Sequence, residues 1–144
     1  MSATSRDGRA GRDDSASRAS VESEPGAPRR RALEWLHPRL EGMHPELAAA
    51  IRRCVREGPE TGRDDATSDI LADAAAAELT RISRRPQDRA AAVRLLAADA
   101  VLTFAFEAVA TAGGDPDALA DRVGLRGTLG RALLAARSGE EAAE

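Results

Sequence analysis

Both histidines of the chain lie in a tandem seven-residue repeat, EWLHPRL followed by EGMHPEL, at positions 34 to 47. Each follows a glutamate by three residues, as Glu34 and His37 and as Glu41 and His44. On a helix this spacing places both ligands on one face, as in helical di-metal carboxylate sites. A proline follows each histidine and biases it away from helical geometry. We therefore expect two turns here, and metal binding by these four side chains stays an open alternative. The apolar side chains of the repeat are expected on the core: Trp35, Leu36, Leu40 and Met43.

A second set of polar side chains interrupts the most apolar stretch, LLAADAVLTFAFEAV, from Leu95 to Val109. Asp99, Thr103 and Glu107 are four residues apart and share one narrow face of a helix. The two carboxylates lie about 12 Å apart along the axis, which is too far to share a proton or a metal ion. They are therefore not expected to act as a catalytic pair.

The single cysteine, Cys54, lies on the apolar side of a predicted helix, beside Ile51 and Val55. We expect a small core residue there, although nearby arginines leave a reactive thiol open. The sequence therefore assigns no catalytic, cofactor-binding or metal-binding residue, and the expectation leans towards a protein that is not an enzyme.

The run ADAVLTFAFE, at positions 98 to 107, resembles a helix of the trans-isoprenyl diphosphate synthases, which have an all-helical fold. In that family, D-D-x-x-D motifs bind the diphosphate through magnesium. Asp64 and Asp65 followed by Asp69 miss this spacing, so no active-site residue is carried over. The resemblance implies, as one alternative, a diverged fragment or small subunit that needs a longer partner to supply the aspartates.

The segment LADRVGLRGTLGRAL, from Leu119 to Leu133, resembles the helix-turn-helix of bacterial repressors. Gly127 and Gly130 weaken the helix that would enter the major groove. Arginines in this segment have the chemistry to contact phosphate, and no side chain is an obvious base reader. A DNA-binding regulator is a second alternative, and a plain helical hairpin is the simpler reading. The arginines concerned are Arg122, Arg126 and Arg131.

These residues are positioned by a chain whose composition changes near position 28. Residues 1–28 contain one large aliphatic side chain among balanced charges, and we expect a disordered tail. Residues 29–138 are predicted to form one helical domain, and residues 139–144 are expected to fray. Leu, Ile, Val and Phe make up only about a fifth of the residues after position 28. Such a thin core favours burial shared with a second chain.

Proline and glycine divide this domain into segments with apolar residues at three- and four-residue spacing, and no segment alternates as a strand would. The predicted fold is all-α, a compact bundle of about five helices centred on the longest one. The predicted helical segments are 29–36, 45–57, 65–84, 86–112, 116–123 and 128–137.

The function we expect is a non-enzymatic helical interaction module that self-associates or docks on a partner protein. The net charge of −3, with arginine and acid interspersed, makes nucleic acid an unfavourable partner. No apolar run reaches the roughly 18 residues of a membrane span, so we expect no membrane association and a cytoplasmic location. The helix that contains the apolar stretch from Leu95 to Val109 is either a central core helix with one solvent-facing edge or a helix whose surface contacts a partner. In the second case the contacting side chains would be Leu102, Phe104, Phe106 and Val109.

Overall fold

The computed structural model describes residues 26–60, 65–84, 88–124, 127–131 and 134. These residues form five α-helices, a short 3-10 helix after the first of them, and no strand, which confirms the all-α prediction. Most of the predicted tail and all of residues 139–144 lie outside the described residues. The helices are α1 (Ala27–Leu36), the 3-10 helix (His37–Leu40), α2 (Pro45–Arg56), α3 (Thr67–Ile82), α4 (Arg89–Thr111) and α5 (Pro116–Val123).

The core is built mainly from small side chains. α4 packs chiefly against α3 and α2, while α1 packs against α3 and α5 against the ends of α3 and α4. Alanines on the facing sides of α3 and α4 allow the two helices to approach closely. Larger side chains fill the remaining centre, and all of them are less than 2 % exposed. They are Leu36, Ile51, Val55, Leu71 and Val101.

Proline and aspartate start the helices largely where the sequence indicates. α2 begins at Pro45 and α5 at Pro116, as predicted, and Asp115 caps α5 by accepting a hydrogen bond from the Asp117 amide at 2.9 Å. α4 begins at Arg89, three residues after the predicted start, because the side chain of Asp88 accepts the Ala91 amide at 2.7 Å.

Two other boundaries differ from the prediction. α1 begins at Ala27, two residues early, after Gly26 in a left-handed conformation with φ of 91°. The start of the third helix was predicted between Asp65 and Ser68, where several side chains could cap it. α3 begins at Thr67, within that window, but its N-cap residue is Ala66 and no side chain bonds there. Part of the predicted connection before α3, residues 61–64, lies outside the described residues.

The tandem repeat forms turns rather than continuous helix. Residues 37–40 make the 3-10 helix, and Gly42 adopts a φ of 78°, which a glycine accepts without strain. Leu36 and Leu40 are buried, and Trp35 and Met43 pack against the core from its edge. The predicted inward side chains of this segment are therefore confirmed.

The end of α4 has the two hydrogen bonds of a Schellman motif. Gly113 has a φ of 71°, its amide donates to the Ala110 carbonyl, and the Gly114 amide donates to the Val109 carbonyl at 2.8 Å. The predicted stop at Gly113 and Gly114 is therefore correct. Within the described ranges, none of the helices combines the length and apolar character that crossing a bilayer requires.

Candidate functional site

The outward surface of α4 carries the most exposed apolar side chains of the helices described above. Leu95 is 49 % exposed and Leu96 is 59 % exposed. These two positions therefore do not fit a central core helix with one solvent edge, which was the first of the two alternatives for this helix. Asp99, Thr103 and Glu107 are exposed, as predicted for the polar stripe.

A line of residues spaced alternately by three and four runs along this surface, and we call it the outer seam. Its first three members are exposed and its last three are half-buried, packed against the core on one side only. The spacing is that of the a and d positions of a heptad, which usually face another helix. The outer seam consists of Ala92, Leu95, Asp99, Leu102, Phe106 and Val109.

The opposite flank of α4 is held by an aromatic and ionic contact with α1. The rings of Trp35 and Phe104 meet edge to face with centroids 6.5 Å apart, and the guanidinium of Arg39 lies 3.4 Å from the centre of the Trp35 ring. Arg39 also donates to Glu107 at 2.8 Å. Phe104 therefore serves the intramolecular packing, whereas Phe106 lies on the outer seam.

The charge within the outer seam is the carboxylate of Asp99, and the exposed guanidinium of Arg89 lies one turn before the first seam residue. Asp99 forms no ion pair with any described residue, and the Thr103 hydroxyl donates to the Asp99 backbone carbonyl at 3.0 Å rather than to the carboxylate. Exposed Asp115 lines a groove of 370 Å³ together with Val109, at the far end of the outer seam. Glu107 is balanced by Arg39, whereas no residue in the described part of the chain pairs with the Asp99 carboxylate.

A buried carboxylate fixes α3 to α4 on the inner side. The Glu78 side chain is 3 % exposed and accepts from Arg81 at 2.6 Å and from Arg94 at 2.5 Å. Burial raises the pKa of Glu78, but the hydrogen bond and charge of Arg94, with the charge of Arg81, outweigh burial and hold it below its ordinary value of 4.5. Both carboxylate oxygens of Glu78 are occupied by arginine donors, so the cluster serves to hold α3 and α4 together.

Sequence reasoning missed Glu78, although a signal was present. Glu78 falls three residues after Ala75 and four before Ile82, so it lies on the apolar stripe of α3. A carboxylate at a core position, with an arginine three residues later, indicates a buried ion pair.

Cys54 is buried, as predicted, and its thiol lies 3.6 Å from the Ala74 carbonyl. Burial, reinforced by the charge of Glu78, raises the pKa of Cys54 to about 12. The thiolate, which is the reactive form, is therefore scarce at neutral pH.

The four candidate metal ligands are not brought together on one helical face. Glu34 lies in α1, His37 opens the 3-10 helix, and Glu41 and His44 lie in the turn before α2. No group of three or more His, Cys, Asp or Glu side chains able to hold a metal ion occurs in the described part of the chain. Gly42, between them, forms the turn that separates the two halves of the repeat.

The segment that resembles a helix-turn-helix is described only in part. α5 is followed by Gly124 and by helical residues 128–131, while Arg126 lies outside the described residues. Arg122 donates to Asp69 at 2.7 Å and to Asp73 at 3.1 Å, so its charge is already balanced by two carboxylates. A Cβ atom at Gly127 would overlap the Arg122 carbonyl, which explains a glycine where a repressor would carry a helix former.

Comparison with family models, with curated proteins and with solved structures finds no match to this chain. The ADAVLTFAFE run forms the second half of α4, and its carboxylates point outward without a neighbouring aspartate motif among the described residues. The exposed surface of α4 is therefore the candidate site.

Proposed function

We propose that the chain is a non-enzymatic protein-interaction module of the cytoplasm that self-associates or docks on a partner protein through the outer face of α4. The observation that carries this proposal is the exposure of two adjacent leucines, Leu95 and Leu96, on a helix that is apolar around most of its circumference. The exposure of such apolar surface to water is unfavourable, and covering it with another protein lowers the free energy.

The small core gives further support. Among the described residues, alanines make up much of the core, including the facing sides of α3 and α4. A partner that covers Leu95, Leu102 and Phe106 would remove apolar surface from water. Each Å² of apolar surface buried contributes roughly 25 cal/mol of favourable free energy. Binding to the folded form would then raise its stability by mass action.

The proposal is tested with a double variant, Leu95→Ser with Leu96→Ser, beside the control Ala49→Ser, which changes an exposed residue of another helix, α2. Light scattering over a concentration series measures self-association. Quantitative mass spectrometry of proteins retained on the immobilised chain measures docking on other proteins. Circular dichroism verifies that each variant keeps its helices.

We expect the wild type and Ala49→Ser to associate, with themselves or with a defined protein, and the double variant to lose that association while staying helical. A wild type that stays monomeric at every concentration and retains nothing beyond what the double variant retains would refute the docking role.

A further inference from the structure

The spacing of the outer seam specifies the shape of what covers it. Its members are separated by three, four, three, four and three residues from Ala92 to Val109. A helix that keeps this alternation presents a continuous row of knobs and holes to a second helix. The row is about 26 Å long, the length of a helix of roughly five turns.

The charge at the centre of the seam specifies the chemistry of that helix. Asp99 interrupts the row between Leu95 and Leu102, and no described residue neutralises its carboxylate. An apolar partner side chain at this level would bury the charge without compensation, which is strongly unfavourable. A lysine or arginine at the facing position would instead form a charge-assisted hydrogen bond with it. Asp115 at the far end adds negative charge of the same sign.

A second copy of this chain meets the charge requirement poorly. Parallel pairing would place Asp99 opposite Asp99 of the partner subunit. Antiparallel pairing about the middle of the seam would separate the two carboxylates by only about 4.5 Å along the axis. The Thr103 hydroxyl donates its hydrogen to the Asp99 backbone carbonyl, so it offers the partner subunit no donor.

We infer that the outer seam binds a basic amphipathic helix of a different protein, whose apolar side chains repeat at three- and four-residue spacing and whose central arginine or lysine pairs with Asp99. This inference rests on the proposed docking role of α4 and adds to it the class of partner. Leu95 and Phe106 supply the apolar contacts, and Asp99 selects the charge.

The test uses the full chain and two stapled helical peptides of about three heptads, with leucine at every a and d position except one. At that central position one peptide carries arginine and the other glutamate. Fluorescence anisotropy of the labelled peptides measures both affinities. We expect the arginine peptide to bind the wild type at least tenfold more tightly, and Asp99→Arg to reverse the preference.

Two controls isolate the site. Glu60→Arg makes the same charge change at a carboxylate whose side chain is 92 % exposed, beyond the end of α2, and should leave the preference intact. Leu95→Ser should lower the affinity of the arginine peptide at least tenfold while leaving the far-ultraviolet spectrum unchanged.

The alternatives give distinct results. Equal binding of both peptides, lost in Leu95→Ser, overturns the basic partner but leaves the docking surface standing. A wild-type dimer that Leu95→Ser dissociates identifies a second copy as the occupant and also overturns the inference. Binding of neither peptide overturns it as well, and the association experiments on the double variant then decide the docking role on their own.

Discussion

Glu78 is a carboxylate in an otherwise apolar part of the molecule, and its position makes it decisive for stability. Two guanidinium groups surround it, from Arg81 one turn along α3 and from Arg94 on α4. A buried ion pair of this kind contributes little net stability compared with an apolar core, but breaking it strands a charge away from water. Single-residue changes here therefore have large effects although no ligand is involved.

Glu78→Gln is expected to lower the free energy of unfolding by roughly 3 kcal/mol, because Arg94, whose side chain is only 14 % exposed, loses its counter-charge. Glu57→Gln serves as the control. Its side chain is 51 % exposed and it also contacts Arg81, so its loss should cost less than about 1 kcal/mol. Urea titration at neutral pH measures both values, and equal losses for the two variants would contradict the role assigned to Glu78.

The stability of the wild type and of Glu78→Gln should also depend differently on pH. The folded pKa of Glu78 is lower than its ordinary value of 4.5, so its stabilisation is complete above about pH 4.5 and is lost as the pH falls through the folded pKa. The difference in stability between the wild type and Glu78→Gln should therefore shrink as the pH is lowered below 4.5. A difference that is constant from pH 7 to pH 3 would exclude this assignment.

α4 has two sides with different tasks, and its two phenyl rings lie on different ones. Phe104 meets the ring of Trp35 on the inner flank, whereas Phe106 lies on the outer seam. An edge-to-face pair contributes about 0.5–1.5 kcal/mol beyond the area it buries. α4 is thus packed against Trp35 on one side and partly exposed to solvent on the other.

Phe104→Leu should destabilise the isolated chain by about 1 kcal/mol more than Phe106→Leu, because only Phe104 has an aromatic partner among the described residues. In the docking assay the order should be reversed, with Phe106→Leu weakening the arginine peptide more. Thermal unfolding and anisotropy on the same samples measure the two effects. A common order in both assays would show that the two sides of α4 are not separate.

The element boundaries were predictable wherever a proline, a glycine or an aspartate acts on its own neighbours. Pro45, Pro116 and Gly113 are placed as expected because their effects are local to the backbone. A side-chain cap at the start of α3 was not predictable in the same way: several polar residues precede that helix, but its N-cap residue is Ala66 and no side chain bonds there. Of the outer seam, Leu102, Phe106 and Val109 were named as contact residues in one of the two alternatives for this helix. The exposure of Leu95 was not predicted, since it depends on where α2, α3 and α5 leave α4 uncovered.

On the scale of the whole molecule, the helix that contacts all the others is α3, which packs against α1, α2, α4 and α5, whereas the predicted centre was the longest helix. The proposed association concerns a different part, the outer face of α4. The helical class and the solvent-facing stripe followed from periodicity. The candidate site did not, because Leu95 and Leu71 have the same side chain in equally apolar surroundings of the sequence. Only the packing of the helices distinguishes a fully buried leucine from one that is half exposed.

Leu71→Ala should therefore cost about 3 kcal/mol of stability, while Leu95→Ala, the same chemical change, should cost less than about 1 kcal/mol. Chemical denaturation at low protein concentration measures both without interference from association. Comparable losses would mean that the outer face of α4 belongs to the core after all.

The stacking of Arg39 on Trp35, the one tryptophan of the chain, provides an optical reporter of the molecule. The indole emission depends on the cation above the ring and on Phe104 at its edge, both on the flank away from the outer seam. Detachment of α1 would release the ring into water and shift its emission to longer wavelength. Binding of a partner to the outer face would leave the emission wavelength of Trp35 unchanged, so one fluorescence measurement can distinguish unfolding from binding.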